Sequence, residues 1–195
     1  EFSGSQSLKD KSFDTKIRLI KESRSLPQIA VGFRDIAGTG LFGSEFIVAS
    51  KNLSKSLDLT MGIGWGNLSG QLIKNPLLKI SDRFATRSSA TGLGGEFNLD
   101  DYFSGSAGYF FGIEYFVPKF KGMRIKLEYD GTNYKTESAI PILQDSNLNY
   151  GLIFPQSKNL LYKLNYTRGN TLNFGFSYKL SLGKKNAQTT SKEKQ

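Results

Sequence analysis

Arg124, Lys126, Glu128 and Asp130 are charged residues at every second position, and they are the first candidates for chemistry in this chain. On an extended strand that spacing sends all four side chains to one face. Two carboxylates on one face can serve as acid and base across a glycosidic bond, so Glu128 and Asp130 could act in a polysaccharide-modifying enzyme. The bracketing Arg124 and Lys126 favour a different use, an ionic lining that screens a passing solute. A second focus is Gly32-Phe33-Arg34-Asp35-Ile36-Ala37-Gly38-Thr39-Gly40. Its glycines permit a sharp backbone at a strand end, and Arg34 could pair with an acidic sugar. A register-fixing ion pair of Arg34 with Asp35, Glu45 or Asp58 is the reading we favour. Gly92-Leu93-Gly94-Gly95 lacks the Lys-Ser/Thr of a phosphate loop and reads as flexible loop. Asp82, Glu96, Asp100 and Asp101 do not have EF-hand spacing, so no metal site is expected.

The chain has no cysteine and no histidine. Disulfides, thiolate nucleophiles, Ser–His triads and the usual zinc sites are therefore excluded. An enzyme built only from Asp, Glu, Lys, Ser and Tyr stays open, but the expectation is a protein that is not an enzyme and needs no cofactor. The net charge of +9 comes largely from loops and from Lys184, Lys185, Lys192 and Lys194. It is not gathered on one helix or face as nucleic-acid binding requires, so no nucleic-acid partner is expected.

The elements that must carry these side chains are strands. From Ser56 to Gly66, Leu57, Leu59, Met61, Ile63 and Trp65 take one face, while Asp58, Thr60, Gly62 and Gly64 take the other. Met123–Asp130 and Leu172–Lys179 repeat the alternation cleanly. Phe13–Leu19, Tyr109–Val117 and Leu160–Tyr166 repeat it less strictly, and 28–36, 44–51 and 147–154 read as strands with mixed faces. The pattern predicts about nine strands and no helix. No apolar run approaches the ~18 residues of a membrane helix.

Alternation suits both a soluble barrel with a greasy inside and a membrane barrel with a polar one. Three features favour the membrane form. Glycine recurs in the polar rows, where a solvent face would gain nothing from it. Aromatics sit near both ends of the apolar rows, Trp65, Tyr129 and Tyr166 at one and Tyr115, Tyr162 and Tyr178 at the other, like two girdles. Connections also alternate between short and long, as in barrels whose short turns face the periplasm. The fold class expected is all-β: an antiparallel up-and-down β-barrel of transmembrane type, or part of one, with nine or ten strands and a polar lumen. Residues 12–182 would form it, with a long loop at 67–107 that could hide two more strands around Leu77–Phe84. Residues 1–11 read as a polar N-terminal segment without a secretory signal, and 183–195 as a basic flexible tail. An odd strand count leaves an unpaired edge, which lipid does not tolerate, so the barrel reads as a fragment of a longer protein.

Three stretches resemble the YjbH-like exopolysaccharide-biosynthesis proteins: Leu26 to Phe42 with Ser44-Glu45 and Val48-Ala49-Ser50-Lys51, Leu59 to Gly66, and Tyr166 to Ser177. Lys126-Leu127-Glu128-Tyr129-Asp130 fits as well. The resemblance implies an outer-membrane barrel of a Gram-negative bacterium that assists export of a capsular or extracellular polysaccharide. Polysaccharide, outer-membrane lipid, other secretion proteins or the rest of a longer chain would be its partners. Its lumen is expected to present Lys16, Arg18, Arg34, Glu45, Glu114, Arg124, Lys126 and Glu128 to the polymer. The alternative is a soluble barrel holding an apolar ligand, with Leu57, Leu59, Met61 and Ile63 pointing inward.

Overall fold

Alternation at period two becomes nine strands in a computed structural model that describes residues 12–38, 40, 42–70, 72–88, 99–120, 122–134 and 142–180. They are β1 (Phe13–Ile20), β2 (Gln28–Ile36), β3 (Ser44–Ser54), β4 (Leu57–Trp65), β5 (Ala107–Phe116), β6 (Arg124–Tyr129), β7 (Leu148–Pro155), β8 (Leu160–Thr167) and β9 (Thr171–Tyr178). Each pairs antiparallel with the next in chain order, so the protein is all-β with up-and-down topology. Among the described residues β1 and β9 do not pair with each other, and the sheet stays open. The segments read as polar N-terminal segment and basic tail, 1–11 and 183–195, lie outside the described residues. No described helix is long and apolar enough to cross a membrane.

Register carries each row straight across the sheet. On one face Leu57, Tyr115, Ile125, Leu152, Leu164 and Phe174 line up from β4 to β9. On the other, Asn52, Asp58, Glu114, Lys126, Gly151, Asn165 and Asn173 line up from β3 to β9. The apolar rows are not packed into a dry centre. Met61 is 54% exposed, Ile125 46% and Phe174 70%, and Ile17, Ile47, Tyr150 and Tyr178 are exposed with them. Buried Ala30, Val48 and Ile153 belong instead to the polar face, as their pairing with Arg18, Gly62 and Arg124 shows. Glycine makes room there for aromatic rings. A Cβ on Gly32 would come within 2.1 Å of Phe46 Cζ, and one on Gly62 within 2.3 Å of Phe110 Cζ.

The connections also alternate. Short turns join β1–β2, β3–β4, β5–β6 and β7–β8 at one end, and the long 66–106 connection is at the other. The tight turn between β8 and β9 shares that long-loop end. It puts Arg168 (φ 58°) and Gly169 (φ 76°) both in the left-handed region, as the primed hairpin turns require. The strands expected around Leu77–Phe84 are not there: the segment forms two 3-10 turns, Pro76–Lys79 and Asp82–Phe84. Local chemistry decides this. Asn75 Oδ1 accepts from Leu77 N–H, Ser81 Oγ accepts from Arg83 N–H, and Pro76 sits at the first helical position, all signals that start a helical turn. Trp65 also departs from its expected girdle role. It is 1% exposed and packs edge-on to Phe103, 5.2 Å between ring centroids. Tyr129 and Tyr166 hold the long-loop end of the apolar face, and Tyr115, Tyr162 and Tyr178 the short-turn end.

Candidate functional site

Seven of the eight expected lumen residues share the polar face. Lys16, Arg18 and Arg34 stand opposite Gly32, Ala30 and Ser44, while Glu114, Arg124, Lys126 and Glu128 cluster on β5 and β6. Glu45 does not join them. It has the strand parity of Ile47 and Ala49, pairs with Phe33, and is 2% exposed on the opposite face.

The cluster begins with Glu114. One carboxylate oxygen lies 3.0 Å from Arg124 Nη1 and the other 3.0 Å from Lys126 Nζ. Diagonal and direct neighbours on antiparallel strands make this bridging possible. Asn52 Nδ2 donates to Asp58 Oδ1 at 2.6 Å, and the Ser50 and Thr60 hydroxyls meet at 3.0 Å. Together with Glu128, all of these residues except Arg124 line a cleft of about 480 Å³ toward the short-turn end. The ion pairs are partly hydrated and so contribute at most about 1 kcal/mol each. Their effect is to hold donors and acceptors of both signs in a fixed array. Such an array can exchange hydrogen bonds with hydroxylated solutes.

Arg34 finds no carboxylate within 4.0 Å among the described residues, so the expected ion pair is replaced by another contact. Its guanidinium lies 5.8 Å from the centroid of Phe46, and Lys16 Nζ lies 5.9 Å from the same ring, both within cation–π range. The three candidate partners are engaged elsewhere: Asp35 accepts from Phe42 N–H, Glu45 from Arg87, and Asp58 from Asn52. Asp130, the carboxylate next to Glu128 in that row, is held by partners of its own. It is buried and accepts from Thr132 N–H at 2.9 Å and from the Tyr134 hydroxyl at 2.5 Å. Asp101 accepts from Ser88 N–H. Glu96 and the Gly92–Gly95 cluster lie outside the described residues.

One assembly escaped the sequence reading. Arg87, from the long loop, forks onto Glu45 with contacts of 2.7 and 3.1 Å and also donates to Asp101 O at 3.2 Å. Phe103 N–H donates to the same carboxylate at 2.8 Å. Buried Asn75 donates to Phe84 O at 3.1 Å and Phe103 O at 2.7 Å. These bonds seat the loop on the ends of β3 and β4. Tyr102, beside them, keeps its proton above the usual tyrosine range because burial disfavours the phenolate, with the Glu45 charge adding to it against Arg87. On the polar face Leu68 tucks against Gly64, where a Cβ would come within 2.4 Å of it. Gly70 N–H donates to Gly131 O, so the start of the loop crosses to the end of β6.

The chain matches a family model, YjbH, described as exopolysaccharide biosynthesis protein YbjH, over residues 1–195. It is 46% identical over 176 residues to the uncharacterized lipoprotein YjbH of Escherichia coli (strain K12), covering 89% of this chain and 25% of that protein. The chain therefore spans about a quarter of the length of the curated relative it matches. No solved structure matches it.

Proposed function

This chain belongs to the YjbH exopolysaccharide-biosynthesis family, and from that membership we propose that it is part of an outer-membrane β-barrel that assists export of an extracellular or capsular polysaccharide without catalysing a reaction. The observation that carries the reading is the apolar face, continuous from strand to strand and left exposed rather than enclosed. In water so large an apolar patch is a liability. In a bilayer it is what a strand must present, while backbone groups are satisfied within the sheet. The naming of the relative as a lipoprotein agrees with a membrane location in a Gram-negative cell.

The polar face supplies the export surface. Ladders such as Asn52–Asp58–Glu114–Lys126 and Ser50–Thr60–Gly112–Glu128 offer donors and acceptors at strand spacing. A hydrated polymer would pass by exchanging bonds that are individually weak, since tight binding would stop conduction. Lys16, Arg18 and Arg34 would meet its acidic groups. The soluble alternative needs Leu57, Leu59, Met61 and Ile63 enclosed, and exposed Met61 counts against it.

Two measurements test this. The full-length parent should partition into detergent micelles and shift on gels when heated, and deleting its gene should lower surface polysaccharide. Unchanged polysaccharide would remove the export role, and a detergent-free soluble protein would remove the barrel.

A further inference from the structure

The exposed apolar face is not uniform. Near its long-loop end the strands form a groove of about 480 Å³, floored by Ile47, Ala49, Met61 and Tyr109 and closed at one end by Trp65 and the overhanging Pro76 and Leu77. The overhang is built rather than slack: Asn75 anchors it through two carbonyls and caps its first turn. Lys74 and Lys79 flank it and are exposed, as are the neighbouring apolar side chains of Leu72 and Ile80. Apolar groove, aromatic side chain and two exposed cations on the segment that overhangs it thus adjoin one another, the three kinds of contact that the acyl chain, interface and phosphate of a lipid call for.

We propose that this groove holds one acyl chain of an anionic membrane lipid whose phosphate lies between Lys74 and Lys79. The proposal rests on the membrane reading above and deepens it, because it names which lipid the barrel selects and where. Continuity with the bilayer-facing rows brings the chain in sideways. The two lysines, exposed and in no ion pair with a described carboxylate, supply the headgroup preference that a bare hydrophobic surface lacks. Asp82 is the acidic residue nearest in sequence, and Arg83 beside it offsets its charge.

Trp65, the single tryptophan of this chain, lines the groove and reports on it. The full-length parent is placed in phosphatidylethanolamine vesicles carrying brominated acyl chains on either phosphatidylglycerol or phosphatidylcholine. Emission lost in Trp65→Phe isolates the Trp65 signal. That signal should be quenched more by the brominated anionic lipid than by the zwitterionic one. The surface double variant Lys74→Gln/Lys79→Gln should erase the preference while leaving vesicle flotation and the heat-modifiable gel shift intact, and Ala49→Phe should remove the quenching. Equal quenching by both lipids, or a preference that survives the double variant, overturns the proposal. So does a floating protein whose Trp65 is quenched by neither, which would place another segment of the parent in the groove. A parent that does not float with the vesicles defeats the membrane reading itself, and the lipid site with it.

Discussion

At Glu45 a carboxylate 2% exposed meets a guanidinium from a residue 42 positions later. Removing water from both charges is costly, and the attraction offsets that cost only if every lone pair is used. Here Arg87 takes both oxygens and Phe103 N–H adds a third bond. Arg87→Ala strands the buried charge and should lower unfolding stability in micelles by about 3–5 kcal/mol. Its first sign should be faster protease cutting within 73–104. Glu45→Gln keeps an acceptor for Phe103 N–H and leaves only the more hydrated arginine unpaired, so the loss should be smaller. Equal urea midpoints for the two variants would refute this ranking. Glu45 was expected in the lumen, yet period two alone gives it the parity of Ile47 and Ala49 and puts it on their face. Its partner was not legible in the sequence. Arg87 sits in a stretch without periodicity, and the contact exists only once the loop has folded.

Among the elements, the strands could be read because a half-buried strand writes its two environments into alternate positions. β4 and β9 emerge with nearly the bounds the alternation gives. The segment around Leu77–Phe84 misled because a short apolar run does not distinguish strand from turn, while Asn75, Pro76 and Ser81 carry the deciding signals locally. Glycine in the polar rows argued against a solvent-exposed face, and the structure gives it a specific use. Phe46 and Phe110 lie across Gly32 and Gly62, so the rings occupy the space a side chain would fill. Gly62→Ala would also bring its methyl within 2.7 Å of Ile47 O, part of the backbone and slow to yield. Overpacking of that kind costs about 1–3 kcal/mol. Gly175 is the control, since a Cβ there meets nothing within 4 Å. Gly175→Ala should be neutral or slightly stabilising, because it restricts the unfolded chain. Parallel thermal unfolding of the two variants in detergent checks the contrast, and equal melting would mean that ring-over-glycine packing does not hold β4 to β5.

At the scale of the whole molecule, one proposal organises the rest: that the apolar side of the sheet faces hydrocarbon. Alternation defined two faces but left their roles open, since it is the same for a soluble barrel turned inside out. The exposure of Met61, Leu164, Phe174 and Phe176, set against the burial of Ala30, Val48 and Ile153 on the polar side, is what the sequence alone could not supply. It leads to a test that needs no ligand. Leu164 and Asn165 are neighbours in the middle of β8 and point to opposite faces. Arginine at a lipid-facing site near the bilayer centre costs about 2–4 kcal/mol, whereas lumen sites accept charge. Leu164→Arg should therefore weaken insertion of the full-length parent into vesicles and lower its unfolding midpoint, while Asn165→Arg should insert and unfold like the parent. A water-facing surface predicts something else, both arginines tolerated within about 0.5 kcal/mol. An interior core at Leu164 is distinguished in turn by Leu164→Ala. A packed leucine loses about 2–5 kcal/mol on truncation, but a leucine against fluid acyl chains leaves no fixed cavity and should lose much less. Large loss from arginine together with small loss from alanine is the signature of lipid, and any other combination of the two turns the sheet around.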